Sequence, residues 1–99
     1  GGVFTSKVVE KGFVMLNIFV GFQQASQLAV DGDPGAAIGT LLALKTGVQG
    51  WLNDKKKAGE KPDPDIEDDL IYVDLFIANL KKLKNQTPIS EPPEPWPKD

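Results

Sequence analysis

Two Asp-Pro pairs, Asp33-Pro34 and Asp63-Pro64, constrain this chain more than any other feature. An Asp carboxylate accepts a hydrogen bond from an unpaired amide of a first helical turn. Pro suits the first helical position, where its missing N–H has no partner to lose. Each pair therefore marks a helix start. The first is preceded by a stop, Asp31-Gly32, with Gly32 suited to the left-handed position after a helix, and the second by three lysines and Ala58-Gly59.

This punctuation predicts three helical segments. The first covers 6–30, with Thr5 or Ser6 as its N-cap. The second opens at Pro34 and ends in Lys55, Lys56 and Lys57. The third opens at Pro64 and ends in Lys81, Lys82 and Lys84. Apolar spacing agrees: Ile38, Leu41, Leu42, Val48 and Leu52 follow helical periodicity in the second, and Ile66, Leu70, Val73, Ile77 and Leu80 do so in the third. Nowhere do Val, Ile and Phe alternate with polar residues over a strand's length. Links of about three and about five residues place consecutive helices side by side and antiparallel.

The expected fold is all-α: an antiparallel three-helix bundle with an extended Pro-rich C-terminal tail. Residues 1–5 are read as an N-terminal extension, 6–86 as the helical bundle domain and 87–99 as the tail. Pro88, Pro92, Pro93, Pro95 and Pro97 keep that tail out of helix and favour extended polyproline backbone. No basic region, apolar core and small-residue cleavage site follow one another at the start, so no retained signal peptide is expected. The most apolar run, 13–22, is broken by Asn17 and followed by Gln23, Gln24 and Gln27. It falls short of the roughly 20 consecutive apolar residues of a membrane span.

Composition removes most chemistry. Among the 99 residues every basic side chain is a lysine, and His and Cys are absent. The common general base near neutral pH, the thiol nucleophile and the bidentate phosphate clamp are therefore missing. A net charge of −3 is no footprint for nucleic acid. The lysine groups close to helix ends and the acidic group Asp63, Asp65, Glu67, Asp68 and Asp69 at a helix start both follow the helix dipole. Asp65, Asp68 and Asp69 could share a face for a divalent cation, but dipole complementarity accounts for them without one. Asp31-Gly32-Asp33 does not continue into an EF-hand loop, because Gly35, Ala36 and Leu42 fall at its later ligand and turn places. Asp74, mid-helix among apolar neighbours, is the one candidate for a buried carboxyl of raised pKa. No enzyme, cofactor or metal is expected. The motifs identify no family, and no localisation follows from them.

What remains is an imbalance of faces. On a helical wheel the first segment is apolar on nearly every side, with a narrow polar stripe of Glu10, Asn17 and Gln24. Such a helix is normally surrounded, and two neighbours do not surround it. The second segment carries Ala36, Gly39, Thr40, Ala43, Gly47 and Gly50 opposite its apolar stripe, where a free surface would carry charge. Glycines inside a helix cost up to about 1 kcal/mol each, which close approach of another backbone would offset. The third segment has a second apolar set, Ile71, Leu75 and Ala78. Trp96 in the tail, just after the single Pro-x-x-Pro spacing of Pro92 to Pro95, is a candidate cover or ligand.

These residues predict a non-catalytic protein–protein interaction or assembly module that self-associates. The expected partner interface is Ala43, Gly47, Gly50, Ile71, Leu75, Ala78 and Trp96, with exposed parts of the first helix. The expected partner is a second copy or another protein and not nucleic acid. The alternative is a membrane-surface or pore-forming helical protein that uses the apolar first helix.

Overall fold

The computed structural model describes the backbone of residues 2–86 and the side chains of residues 7–86. The expected tail, with its polyproline backbone and Trp96, lies outside the described residues. Three helices form an antiparallel three-helix bundle: α1 (Gly2–Val30), α2 (Pro34–Lys57) and α3 (Pro64–Gln86). Among the described residues there is no strand.

Both links use one device. Gly32 takes φ 91°, its N–H donates to Ala29 O at 3.1 Å, and the Asp33 N–H donates to Leu28 O at 2.9 Å. Gly59 takes φ 84°, its N–H donates to Lys56 O at 3.0 Å, and the Glu60 N–H donates to Lys55 O at 3.0 Å. These paired bonds satisfy the orphan carbonyls of a helix end and reverse the chain. The starts then follow. Asp33 Oδ1 accepts from Ala36 N at 3.0 Å, and Asp63 Oδ1 accepts from Asp65 N at 2.9 Å. Asp33 thus closes α1 through its backbone and opens α2 through its side chain, which makes the first link so short.

One boundary differs from expectation. Helix α1 begins at Gly2, so Thr5 and Ser6 lie within it and neither is an N-cap. A hydroxyl caps only where the chain enters a helix, and no residue of Val3, Phe4, Thr5 and Ser6 forbids helical backbone angles.

Two clusters fill the core. The larger lies toward the α1–α2 turn and joins Ala25, Ala37, Ile38, Leu41, Val73, Ile77 and Leu80. Phe22 and Phe76 stack beside it with ring centroids 5.9 Å apart. The smaller lies toward the other end and joins Ile18, Val48 and Ile66, flanked by Val14, Trp51, Leu52 and Leu70. Helix α2 packs along both neighbours, while α1 and α3 touch over a shorter stretch. No polar or charged side chain is buried among the described residues.

Gly21 is where α1 meets α2 most closely. A Cβ there would lie 2.8 Å from Leu44 Cδ2, so Leu44 occupies the space a side chain would need. The α2 glycines are not in close contact within the single chain. A Cβ on Gly39, Gly47 or Gly50 would meet nothing within 4 Å.

Candidate interaction surface

The end of the bundle that holds the α1 N-terminal half is bound by charge. Lys11 Nζ lies 2.9 Å from Asp65 and 3.1 Å from Asp63, and Lys7 lies 3.7 Å from Glu60. Lys55 of α2 pairs with Glu10, reaches Glu60 at 3.9 Å, and sits 5.5 Å from the centroid of the Trp51 ring. All three charged residues of the described part of α1, Lys7, Glu10 and Lys11, are therefore tied to α2, α3 or the link between them.

The charges tune one another. The Asp65 and Asp63 carboxylates push the Lys11 ammonium up, and Glu10 does the same for Lys55. Lys55 holds Glu10 below the usual carboxylate range, and the Trp51 indole, whose N–H makes no well-formed hydrogen bond, adds to that lowering. Burial pushes Asp63 up, but its bond from Lys11 and the amides of Asp65 and Ile66 outweigh this and leave it lowered. Asp69 is raised, first by burial and then by the Asp65, Asp68 and Asp63 charges.

These directions predict a stability plateau. Glu10 and Asp63 stabilise the fold above the unfolded carboxylate range near pH 4, and that contribution is lost as pH falls through their lowered folded values. Lys11 and Lys55 contribute below about pH 10.4, and their contribution is lost as pH rises through their raised values. Asp69 acts in the opposite sense, since its protonation on the acid side favours the fold. The melting temperature should be flat between about pH 5.5 and 9.5 and fall on both sides. Added salt should lower the plateau, because these pairs are partly exposed. A salt-insensitive melt at neutral pH would show that the cluster contributes nothing.

Other charged candidates resolve simply. Asp74 is exposed and bonded to Lys45 Nζ at 2.6 Å, which corrects the expectation of a buried carboxyl. An aspartate one helical step past the Val73 stripe points aside and meets the α2 lysine instead of the core. Asp63 and Asp65 turn toward Lys11. Among the described residues no three acidic side chains converge as metal ligands would.

The residues expected to form one partner face are divided between separate places. Ala43 and Gly47 line a groove of about 720 Å³ between α1 and α2, together with Val14, Asn17, Gly21 and Trp51. Gly50 is exposed on α2. Ile71 (58 % exposed), Leu75 (55 %) and Ala78 stand on α3 opposite its buried Val73, Ile77 and Leu80. The small-residue groove opens beside α1, whereas the second α3 set points away from the core. Trp96 is outside the described residues.

The largest apolar surface is on α1. Its buried side is Val14, Ile18, Gly21, Ala25 and Leu28, with Lys7 and Lys11 on the same line. Its polar stripe of Asn17 and Gln24 is exposed and lines the α2 groove, with Val20 at the groove's rim. The outward side from residue 8 to residue 20 is Val8, Val9, Gly12, Phe13, Met15, Leu16, Phe19 and Val20, all exposed and none charged. Phe13 is 62 % exposed and Phe19 57 %. Helix α1 is thus turned inside out over this stretch, with charges paired inward and aromatic and aliphatic side chains in solvent. The expected contact included exposed parts of this helix without saying which side, and the structure shows which side is exposed. By length and composition Lys7–Val30 could also cross a membrane. Comparison with family models, with curated proteins and with solved structures finds no match.

Proposed function

We propose that this chain is a non-catalytic helical interaction or assembly module that self-associates. The observation that supports it is the outward face of α1, where eight consecutive face positions are apolar and exposed while the helix's charges are paired inward. Contiguous apolar patches of this size on soluble proteins mark contact surfaces. Covering one large side chain favours association by roughly 1.5–3 kcal/mol at best, so a few suffice. Molar mass by light scattering on a sizing column, over a concentration series, tests the reading. A mass of twice 10.7 kDa or more is expected, and a strict monomer at every concentration counts against it.

A second reading has its own support. Lys7–Val30 is long and apolar enough for a bilayer, and little of it is buried in the bundle. A membrane-surface or pore-forming role predicts co-flotation with lipid vesicles, which a purely soluble assembly does not.

A further inference from the structure

The outward face of α1 has a period as well as an area. Val9, Phe13, Leu16 and Val20 are spaced four, three, four, and Gln23 and Gln27 continue the line. That spacing is the seam of helix-on-helix packing, in which side chains at alternating three- and four-residue steps enter holes on a facing helix. The buried seam of the same helix, Val14, Ile18, Gly21, Ala25 and Leu28, has the same rhythm. One side of α1 therefore packs on its own bundle, and the other is built to receive a further helix.

Resting on the assembly reading above, we infer that this further helix is α1 of a second copy, running antiparallel, with Val9 layered on the second copy's Val20 and Phe13 on its Leu16. Three observations select it. First, this register covers all four apolar seam positions with apolar ones. Sliding either way by one heptad sets Phe13 against Gln23 or leaves Leu16 beyond the apolar stretch. Second, the antiparallel arrangement opposes the two α1 dipoles and sends the acidic α3 starts, with Asp65, Glu67, Asp68 and Asp69, to opposite ends. A parallel pair would bring those like charges to one end. Third, the exposed surface of the seven large side chains between Val8 and Val20 is on the order of 700 Å², taking aromatic side chains at about 150–250 Å², and this is the upper limit of what α1 itself brings to the contact. A stable interface uses about 800 Å² per partner. A two-fold axis then makes the contact self-complementary and closed.

The same dimensions argue against this face spanning a bilayer. At 1.5 Å per residue the outward apolar stretch runs about 18 Å, against a hydrocarbon thickness of about 30 Å. Beyond it that side of the helix carries Gln23, Ser26 and Gln27 before it ends at the exposed Val30.

The chain has no cysteine, so single thiols report the register directly. Val9→Cys and Val20→Cys are prepared separately in the full chain and oxidised alone and as an equal mixture. A disulfide needs Cα atoms about 4.4–6.8 Å apart. The mixture should give the mixed disulfide as the dominant dimer, with little cross-linking of either variant alone. Strong cross-linking of Val9→Cys to itself overturns the antiparallel register. In parallel, Leu16→Lys should halve the mass seen by light scattering, whereas Leu75→Lys on α3 should leave it unchanged, with helicity by circular dichroism confirming that both fold. A dimer that survives Leu16→Lys overturns the α1 contact but leaves the assembly reading standing. A wild-type monomer at every concentration overturns both, and flotation of that monomer with phosphatidylcholine vesicles would transfer the face to lipid.

Discussion

Leu41→Ala is expected to destabilise the bundle by about 3 kcal/mol, within the ~2–5 kcal/mol typical of buried Leu-to-Ala changes. Leu41 is 0 % exposed and sits in the larger core cluster, against side chains from all three helices. The loss has two parts: the transfer free energy of the removed carbons, and the cavity left where three helices cannot all close in. For a domain of this size each kcal/mol moves the melting temperature by about 4–8 °C, so a fall of roughly 12–24 °C is expected. Leu42 is the control. It is 46 % exposed, one residue along the same helix, and Leu42→Ala should change stability by no more than about 0.5–1 kcal/mol. Both are compared by thermal and urea unfolding at one fixed protein concentration, since association would couple stability to concentration. Equal losses for the two variants would mean that α2 is rotated from the orientation described above.

The bundle was legible because its boundaries are local chemistry. Gly32 and Gly59 end helices by donating to carbonyls three residues back, the next residues Asp33 and Glu60 donate to carbonyls five back, and Asp33 and Asp63 start the next helices through their own side chains. Nothing distant is needed to read them. The α3 stripe was legible for the same reason: Ile66, Leu70, Val73, Ile77 and Leu80 form its longest apolar line of regular spacing, and all are buried except the half-buried Leu70.

The orientation of α1 was not local information. That helix carries two seams of equal rhythm, and periodicity alone does not say which faces in. The seam with Phe13, Leu16 and Val20 is the more apolar in the first half of the helix, yet it faces out. Two long-range facts decide the matter. The inward seam stays apolar through Ala25 and Leu28 to the turn that tethers α2, whereas the outward one becomes Gln23 and Gln27. Lys11, on the inward line, also finds Asp63 and Asp65 more than fifty positions away. The close approach at Gly21 was missed for a related reason. One glycine in an apolar run carries no signal until Leu44 is known to lie against it. The glycines on α2 drew attention by their place opposite the apolar stripe, and within the chain Gly39, Gly47 and Gly50 face open space.

Ile66→Ala should have an effect of similar size but different reach. Ile66 is 0 % exposed and is one of only three fully buried side chains of the smaller cluster, with Ile18 and Val48. Its truncation should again remove about 2–5 kcal/mol. Among the described residues, α1 has no buried side chain before Ile18, so residues 7–17 are held by the partly buried Val14, the smaller cluster below and the ion pairs of Lys7, Glu10 and Lys11. A segment held that way opens by itself at lower free energy than the whole domain. The two core variants then separate in amide hydrogen exchange. Leu41→Ala lowers the global unfolding free energy and speeds exchange near the α1–α2 turn, but leaves the local opening of residues 8–17 unchanged. Ile66→Ala lowers the cost of that opening itself, and a loss of about 3 kcal/mol should cut protection there by roughly a hundredfold. Exchange is read at dilute protein and again at high concentration, because a contact along the outer face of α1 would protect the same amides by mass action. Uniform loss of protection in both variants would mean that the bundle unfolds as one cooperative unit, with the charged end no weaker than the turn.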